Sequence, residues 1–149
     1  MSNLKKIMFV GAVGTGKTTL TQRLEGHEIT YSKTQAIESS RFIVDTPGEF
    51  IQRRQFYSAL QVTSNTVDYI GLLQSVDESF NTFPPAFSSM FSKPVIGVVT
   101  KIDKANSESE IERAANALKN AGAREIFHVS SYDDKGIEEL LKFLEIEEE

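Results

Sequence analysis

Four short stretches of this 149-residue chain carry residue types that could do chemistry. The most specific is G-A-V-G-T-G-K-T, Gly11 to Thr18, which matches the pattern G-x-x-x-x-G-K-[ST]. Glycines let backbone N–H groups curl around phosphate oxygens where a Cβ would clash, and a following helix turns its positive N-terminus toward the same oxygens. Gly11, Ala12, Val13, Gly14, Thr15 and Gly16, with Thr18 and Thr19 at the helix start, are therefore the expected phosphate cradle. Lys17 is expected to bridge the β- and γ-phosphates of a nucleoside triphosphate, and the Thr18 hydroxyl to ligate Mg²⁺. The bland alternative is a glycine-rich turn.

The second stretch is D-T-P-G-E, Asp45 to Glu49. A carboxylate at Asp45 can hold Mg²⁺ through water, and the Gly48 N–H can meet a γ-phosphate. Alone, D-x-P-G is also a common turn. The third is T-K-I-D, Thr100 to Asp103. The Asp103 carboxylate can accept from guanine N1–H and N2–H₂ together, a donor pair adenine lacks, and the Lys101 stem can pack on the base plane. With Thr100 these form the expected base site, against the alternative of a turn before the helix at Ser107. The fourth is V-S-S, Val129 to Ser131, where Ser130 and Ser131 would complete the pocket near guanine O6.

All four must be held by secondary structure, and the pattern around them supplies it. Apolar runs at Lys5–Val10, Tyr69–Val76, Val95–Thr100 and Ile126–Val129 predict buried strands, with two short ones at Ala36–Glu38 and Arg41–Asp45. Helices are expected at Lys17–Leu24, at Gln52–Val62, from Ser107 with Glu110 in a capping box, and after Gly136 through Ile137, Leu140, Leu141 and Leu144. Gly122 closes the third helix. Glu25–Lys33 reads as a loop. Phe80–Lys93 is aromatic and Ser-rich, and its Phe87, Met90 and Phe91 fall on one helical face that packs on the sheet or offers a partner patch.

Alternating strands and helices imply a mainly parallel sheet covered on both faces, with ligands at the carboxyl ends of the strands, where every motif falls. The expected architecture is a single α/β domain over residues 1–149, three-layered, with a mixed, mostly parallel six-stranded sheet. Net charge of −5 argues against nucleic acid as the main partner. With no cysteine, disulfides and thiolate metal sites are excluded. No stretch reads as a leader peptide or a membrane span, so a cytoplasmic location is expected.

In order and spacing, the four motifs resemble those of the Ras-like and Era-like GTPase superfamily over nearly the whole chain. With K-T-Q-A at Lys33–Ala36 and the short length, the chain looks most like the small P-loop proteins of ethanolamine and propanediol utilisation. The resemblance implies a P-loop NTPase fold, Mg²⁺ and GTP or GDP as ligands with ATP second, and association with a bacterial microcompartment shell or enzyme. It also implies a metal-binding threonine after the first helix, with Thr34 preferred and Thr30 in reserve. Ras-like enzymes place a water-positioning Gln where this chain has Glu49. An ionised carboxylate only accepts hydrogen bonds there, so Glu49 acts as a general base or is merely solvated. Val13 stands where an external arginine finger would pass and obstructs it. Arg53 and Arg54 could serve in cis or lie on a solvated helix face.

Three functions follow in order of support: a Mg²⁺-dependent GTPase with slow hydrolysis, an ATP-dependent kinase of a small carboxylate such as acetate, and a non-enzymatic nucleotide-binding docking module.

Overall fold

The computed structural model describes residues 5–12, 14–32, 43–46, 57–78 and 82–145, with the backbone alone at 27–32 and at Asp45. Five strands form one sheet: β1 (Ile7–Val10), β2 (Ile43–Asp45), β3 (Tyr69–Ser75), β4 (Val95–Thr100) and β5 (Ile126–His128). Their order is β2-β1-β3-β4-β5, and every neighbouring pair is parallel. The strand expected at Ala36–Glu38, which would make the sheet six-stranded and mixed, lies outside the described residues. β1 and β4 are buried along their whole length, as strands covered on both faces must be.

Alternation along the strands divides the core in two. Met8, Val10, Ile70, Leu72, Val95 and Val99 face α2 (Tyr57–Ser64) and α3 (Glu108–Asn120), meeting Leu60, Ala114, Ala115 and Leu118. Ile7, Phe9, Leu73, Ile96 and Val98 face α1 (Lys17–Ser32) and α4 (Ile137–Leu144), meeting Leu20, Leu24, Ile137, Leu140 and Leu144. Gly97 permits the close approach of α3, since a Cβ there would stand 3.0 Å from the Leu118 side chain.

Two expectations are corrected. The loop expected at Glu25–Lys33 is helical up to Ser32. No proline interrupts the run, and Gly26 costs a helix only about 1 kcal/mol relative to alanine. The capping box at Ser107 is displaced: the Ser107 hydroxyl meets the Ser109 hydroxyl, and Glu110 accepts from the Asn106 N–H at 2.6 Å, one residue upstream. In the aromatic segment the expected packing is found: among its described residues Phe87–Met90 is helical, as a single 3₁₀ turn, with Met90 packed against the core. Phe83, Phe87 and Phe91 are buried in the core, with rings 5.1 and 5.7 Å apart in sequence, which resolves the aromatic cluster as packing. Phe80 lies outside the described residues.

The helix closure at Gly122 is as expected. Its φ is +105°, and the Ala123 and Gly122 N–H groups donate to Leu118 and Lys119 carbonyls in a Schellman arrangement. No helix among the described residues is long and apolar enough to cross a membrane.

Candidate functional site

The strand order reverses at β1, because β2 lies on one side of it and β3 on the other. A crevice therefore opens at the carboxyl ends of β1 and β3, where ligands of doubly wound sheets bind. The glycine run leaves β1 into that crevice and enters α1 at Lys17. Gly14 and Gly16 have φ of +90° and +92°, a conformation that makes glycine the natural residue. Gly11 is required for a different reason, since a Cβ there would lie 3.0 Å from Thr15 Oγ1 and 3.1 Å from Leu73 Cβ.

Inside the loop, Thr15 is fully buried and donates its hydroxyl to the Ala12 carbonyl at 3.0 Å. Lys17 is not the exposed side chain expected of a loop lysine. It is only 8% exposed, and its ammonium donates to the Gly11 carbonyl at 2.9 Å, curling back over the loop. Thr18 and Thr19 are exposed on the first turn of α1. Val13 lies outside the described residues.

Asp45 ends β2 in register with Phe9 of β1, one strand away from the glycine run. The next residue, Thr46, is buried and donates its hydroxyl to the Phe9 carbonyl at 2.8 Å. That bond fixes where the chain leaves β2, a role the sequence did not suggest. Gly48 and Glu49 lie outside the described residues, as does Thr34. Thr30, the reserve metal ligand, is corrected: it lies in α1 twelve residues beyond Thr18, about 18 Å along the helix, too far to share a metal ion with it. Thr18, on the first turn of α1, and Asp45, at the end of β2, both carry hard oxygen donors, and that chemistry fits Mg²⁺.

T-K-I-D is bound to the glycine run by two contacts. Thr100 is buried, and its hydroxyl donates to the Thr15 carbonyl at 2.7 Å. Lys101 takes φ +60°, and its ammonium donates to the Gly14 carbonyl at 2.6 Å. Its stem also stands 3.7 Å from the place where a Gly16 Cβ would be. Asp103 is exposed in a short 3₁₀ turn, Ile102–Lys104. Ser130, fully buried, donates its hydroxyl to Asp103 Oδ1 at 2.9 Å. Ser131 is half-buried beside it. Ser130 is itself fixed by pairing with Lys135, whose carbonyl accepts the Ser130 N–H at 2.9 Å.

The structure thus brings together Gly11, Ala12, Gly14, Thr15, Gly16, Lys17, Thr100, Lys101, Asp103 and Ser130. Thr100 and Ser130 act here on other protein groups, the first on the loop backbone and the second on a carboxylate. Among the described residues, no group of three or more His, Cys, Asp or Glu side chains converges as a metal cluster. Asp77 was missed by sequence reasoning. Its carboxylate accepts a hydrogen bond from the Ser75 hydroxyl and lies 3.9 Å from the Lys101 ammonium. The only signal was an aspartate just past a buried strand.

Comparison with known proteins bears on the family and the fold. A family model described as ethanolamine utilisation – propanediol utilisation matches residues 4–146. The propanediol utilization protein PduV of Citrobacter freundii is 39% identical over 145 residues, spanning 97% of this chain and 96% of that protein. The probable acetate kinase EutP of Escherichia coli is 31% identical over 144 residues, spanning 95% and 89%. Among solved structures, Era in complex with MgGDPNP and a segment of 16S ribosomal RNA superposes with a TM-score of 0.66 at 19% identity. That match covers 100% of this chain and 59% of the Era chain, and it shows a shared GTPase-like fold.

Proposed function

The chain belongs to the ethanolamine utilisation – propanediol utilisation family, and on that premise we propose that it is a Mg²⁺-dependent guanine-nucleotide-binding protein with slow GTP hydrolysis. One observation carries this reading above the others. The carboxylate at Asp103 is held by Ser130, while its own strand end is tied to the glycine run through Thr100–Thr15 and Lys101–Gly14. A phosphate cradle and a base-selecting carboxylate fixed on one rigid frame suit a nucleotide, with ribose between them. The preorganisation lowers the entropic cost of binding.

In this account the loop amides and Lys17 bind the phosphates, Lys17 leaving the Gly11 carbonyl for the β- and γ-oxygens. Mg²⁺, held through Thr18, Asp45 and Thr34, would neutralise the developing charge on the phosphates. Gly48 N–H would meet the γ-phosphate. Water attacks the γ-phosphorus, the bond to the β–γ bridging oxygen breaks, and GDP and phosphate leave. Glu49 is a weak substitute for a neutral water-orienting amide, so turnover is slow. The fold is read as one domain serving ethanolamine or propanediol utilisation, with a microcompartment shell or enzyme as protein partner. The net charge of −5 opposes nucleic acid.

A second reading has a specific observation behind it, the acetate kinase name of a relative 31% identical to this chain. It needs an ATP-selective base site and cations for a carboxylate substrate. Asp103 opposes the first requirement. For the second, among the described residues Arg23 pairs with Asp134 at 3.6 Å and Arg113 donates to the Glu78 carbonyl at 3.0 Å, both away from the glycine run, while Arg53 and Arg54 lie outside the described residues.

The discriminating experiment replaces Asp103 with Asn and titrates displacement of a fluorescent GDP. The amide can donate to xanthine O2 where the carboxylate cannot, while its Oδ1 can still accept from Ser130. Xanthine nucleotides should gain affinity by at least about tenfold as guanine nucleotides lose it. Unchanged base preference would remove Asp103 from the base site.

A further inference from the structure

The end of β3 carries a polar assembly that the nucleotide site as described does not use. β3 continues its ladder one residue beyond Ser75, where the Val76 N–H donates to the Thr100 carbonyl at 3.1 Å. The turn that follows is pinned from several sides. Gln74, buried, donates to Glu78 Oε2 at 2.9 Å, the Ser75 N–H donates to Glu78 Oε1 at 3.3 Å, and Thr82 bonds to both Gln74 and Glu78. Arg113 of α3 donates to the Glu78 carbonyl at 3.0 Å. A surface turn needs little of this to exist. Its effect is to hold Asp77 beside the T-K-I-D segment.

From this placement we propose that Asp77 is a positioning residue that holds the Lys101 ammonium over the phosphate loop. The proposal rests on the nucleotide-binding reading above. Lys101 has a left-handed backbone, which a lysine adopts only when its surroundings enforce it. Its ammonium reaches the Gly14 carbonyl at 2.6 Å and lies 3.9 Å from Asp77 Oδ2. Asp77 is in turn oriented by the Ser75 hydroxyl, one strand over from Thr100 in the β3–β4 register. The lysine stem is thereby held against the phosphate loop, its Cε 3.7 Å from where a Gly16 Cβ would stand. The carboxylate is held below its ordinary value by the Ser75 hydrogen bond, against a rise from burial, and further by the charges of Lys101 and Lys104. It is therefore ionised, as a counter-charge must be, throughout the neutral range.

A double-mutant cycle tests the proposal, with GDP affinity measured for the wild type, Asp77→Asn, Lys101→Met and the double variant. Asp77→Asn keeps the shape and removes the charge, so GDP binding should weaken about two- to fivefold, the range of a half-exposed ion pair. In the Lys101→Met background the same change should alter affinity by less than about 1.5-fold, because nothing remains for Asp77 to hold. Equal losses in both backgrounds, or no loss in the first, would overturn it. A second readout needs no nucleotide. The Asp77 carboxyl titration, followed by NMR, should move upward in Lys101→Met, and an unchanged titration also overturns the proposal. If the wild type binds no nucleotide at all, the functional reading fails and the titration alone decides whether Asp77 and Lys101 are coupled.

Discussion

Replacing Thr100 with Val deletes one hydroxyl from the most buried link between the base-side strand and the phosphate loop. Thr100 is 3% exposed, and its partner residue Thr15 is fully buried, so water cannot readily replace the lost donor to the Thr15 carbonyl. A buried acceptor left without its partner costs about 1–3 kcal/mol. That cost can appear in two places. If the loop stays in position, the native state carries it, and thermal unfolding should shift down by about 3–9 °C at about 3 °C per kcal/mol for a chain this size. If the loop moves away to hydrate Thr15, the unfolding temperature changes little. Binding must then restore the loop, and GDP affinity should fall by about 5- to 150-fold. Calorimetry of unfolding and titration of GDP on the same preparations separate the two. An unfolding shift below about 2 °C together with GDP affinity within about twofold would refute the reasoning, because the penalty would have appeared nowhere.

Lys17→Ala should weaken triphosphate binding by at least about a hundredfold, since charge-assisted bonds to phosphate are lost. It should cost the ligand-free protein about 1–3 kcal/mol, since the buried Gly11 carbonyl loses its donor, as read by urea denaturation. Gly136→Ala should destabilise by at least about 2 kcal/mol in the same assay. Gly136 has φ +80°, and a Cβ would stand 2.1 Å from the His128 carbonyl oxygen, backbone that cannot step aside. Because the Asp77 carboxyl is depressed when folded, its stabilisation is present above the ordinary value of 3.8 and lost as pH falls below it. Wild type should therefore exceed Asp77→Asn in stability at neutral pH and converge with it in acid, measured by thermal unfolding across pH.

The strands were legible because burial on both faces writes itself as uninterrupted apolar runs, and Ile7–Val10 and Val95–Thr100 match the sequence pattern to within two residues. The glycine run was legible because its spacing is demanded by phosphate geometry. The length of α1 was not, since the residues after Leu24 have neither apolar periodicity nor a strong breaker, and helix propensity alone decides weakly. The buried state of Lys17 was also hidden. It depends on a bond to the Gly11 carbonyl, six residues back, that only the curled loop creates. The same holds for Thr100, Ser130 and Asp77, whose partners lie on other elements. Sequence marked Thr100 and Ser130 as polar groups near a ligand, while the structure shows them fixing the loop and the carboxylate.

The central claim is guanine-nucleotide recognition on a preorganised frame, and isothermal titration of GDP, GTP, ADP and ATP in the presence of Mg²⁺ tests it most directly. The account predicts that the guanine nucleotides bind at least about a hundredfold more tightly than the adenine nucleotides, because only guanine offers Asp103 two donors. Equal affinities, or a preference for ATP, would contradict it and move the carboxylate-kinase reading to the front.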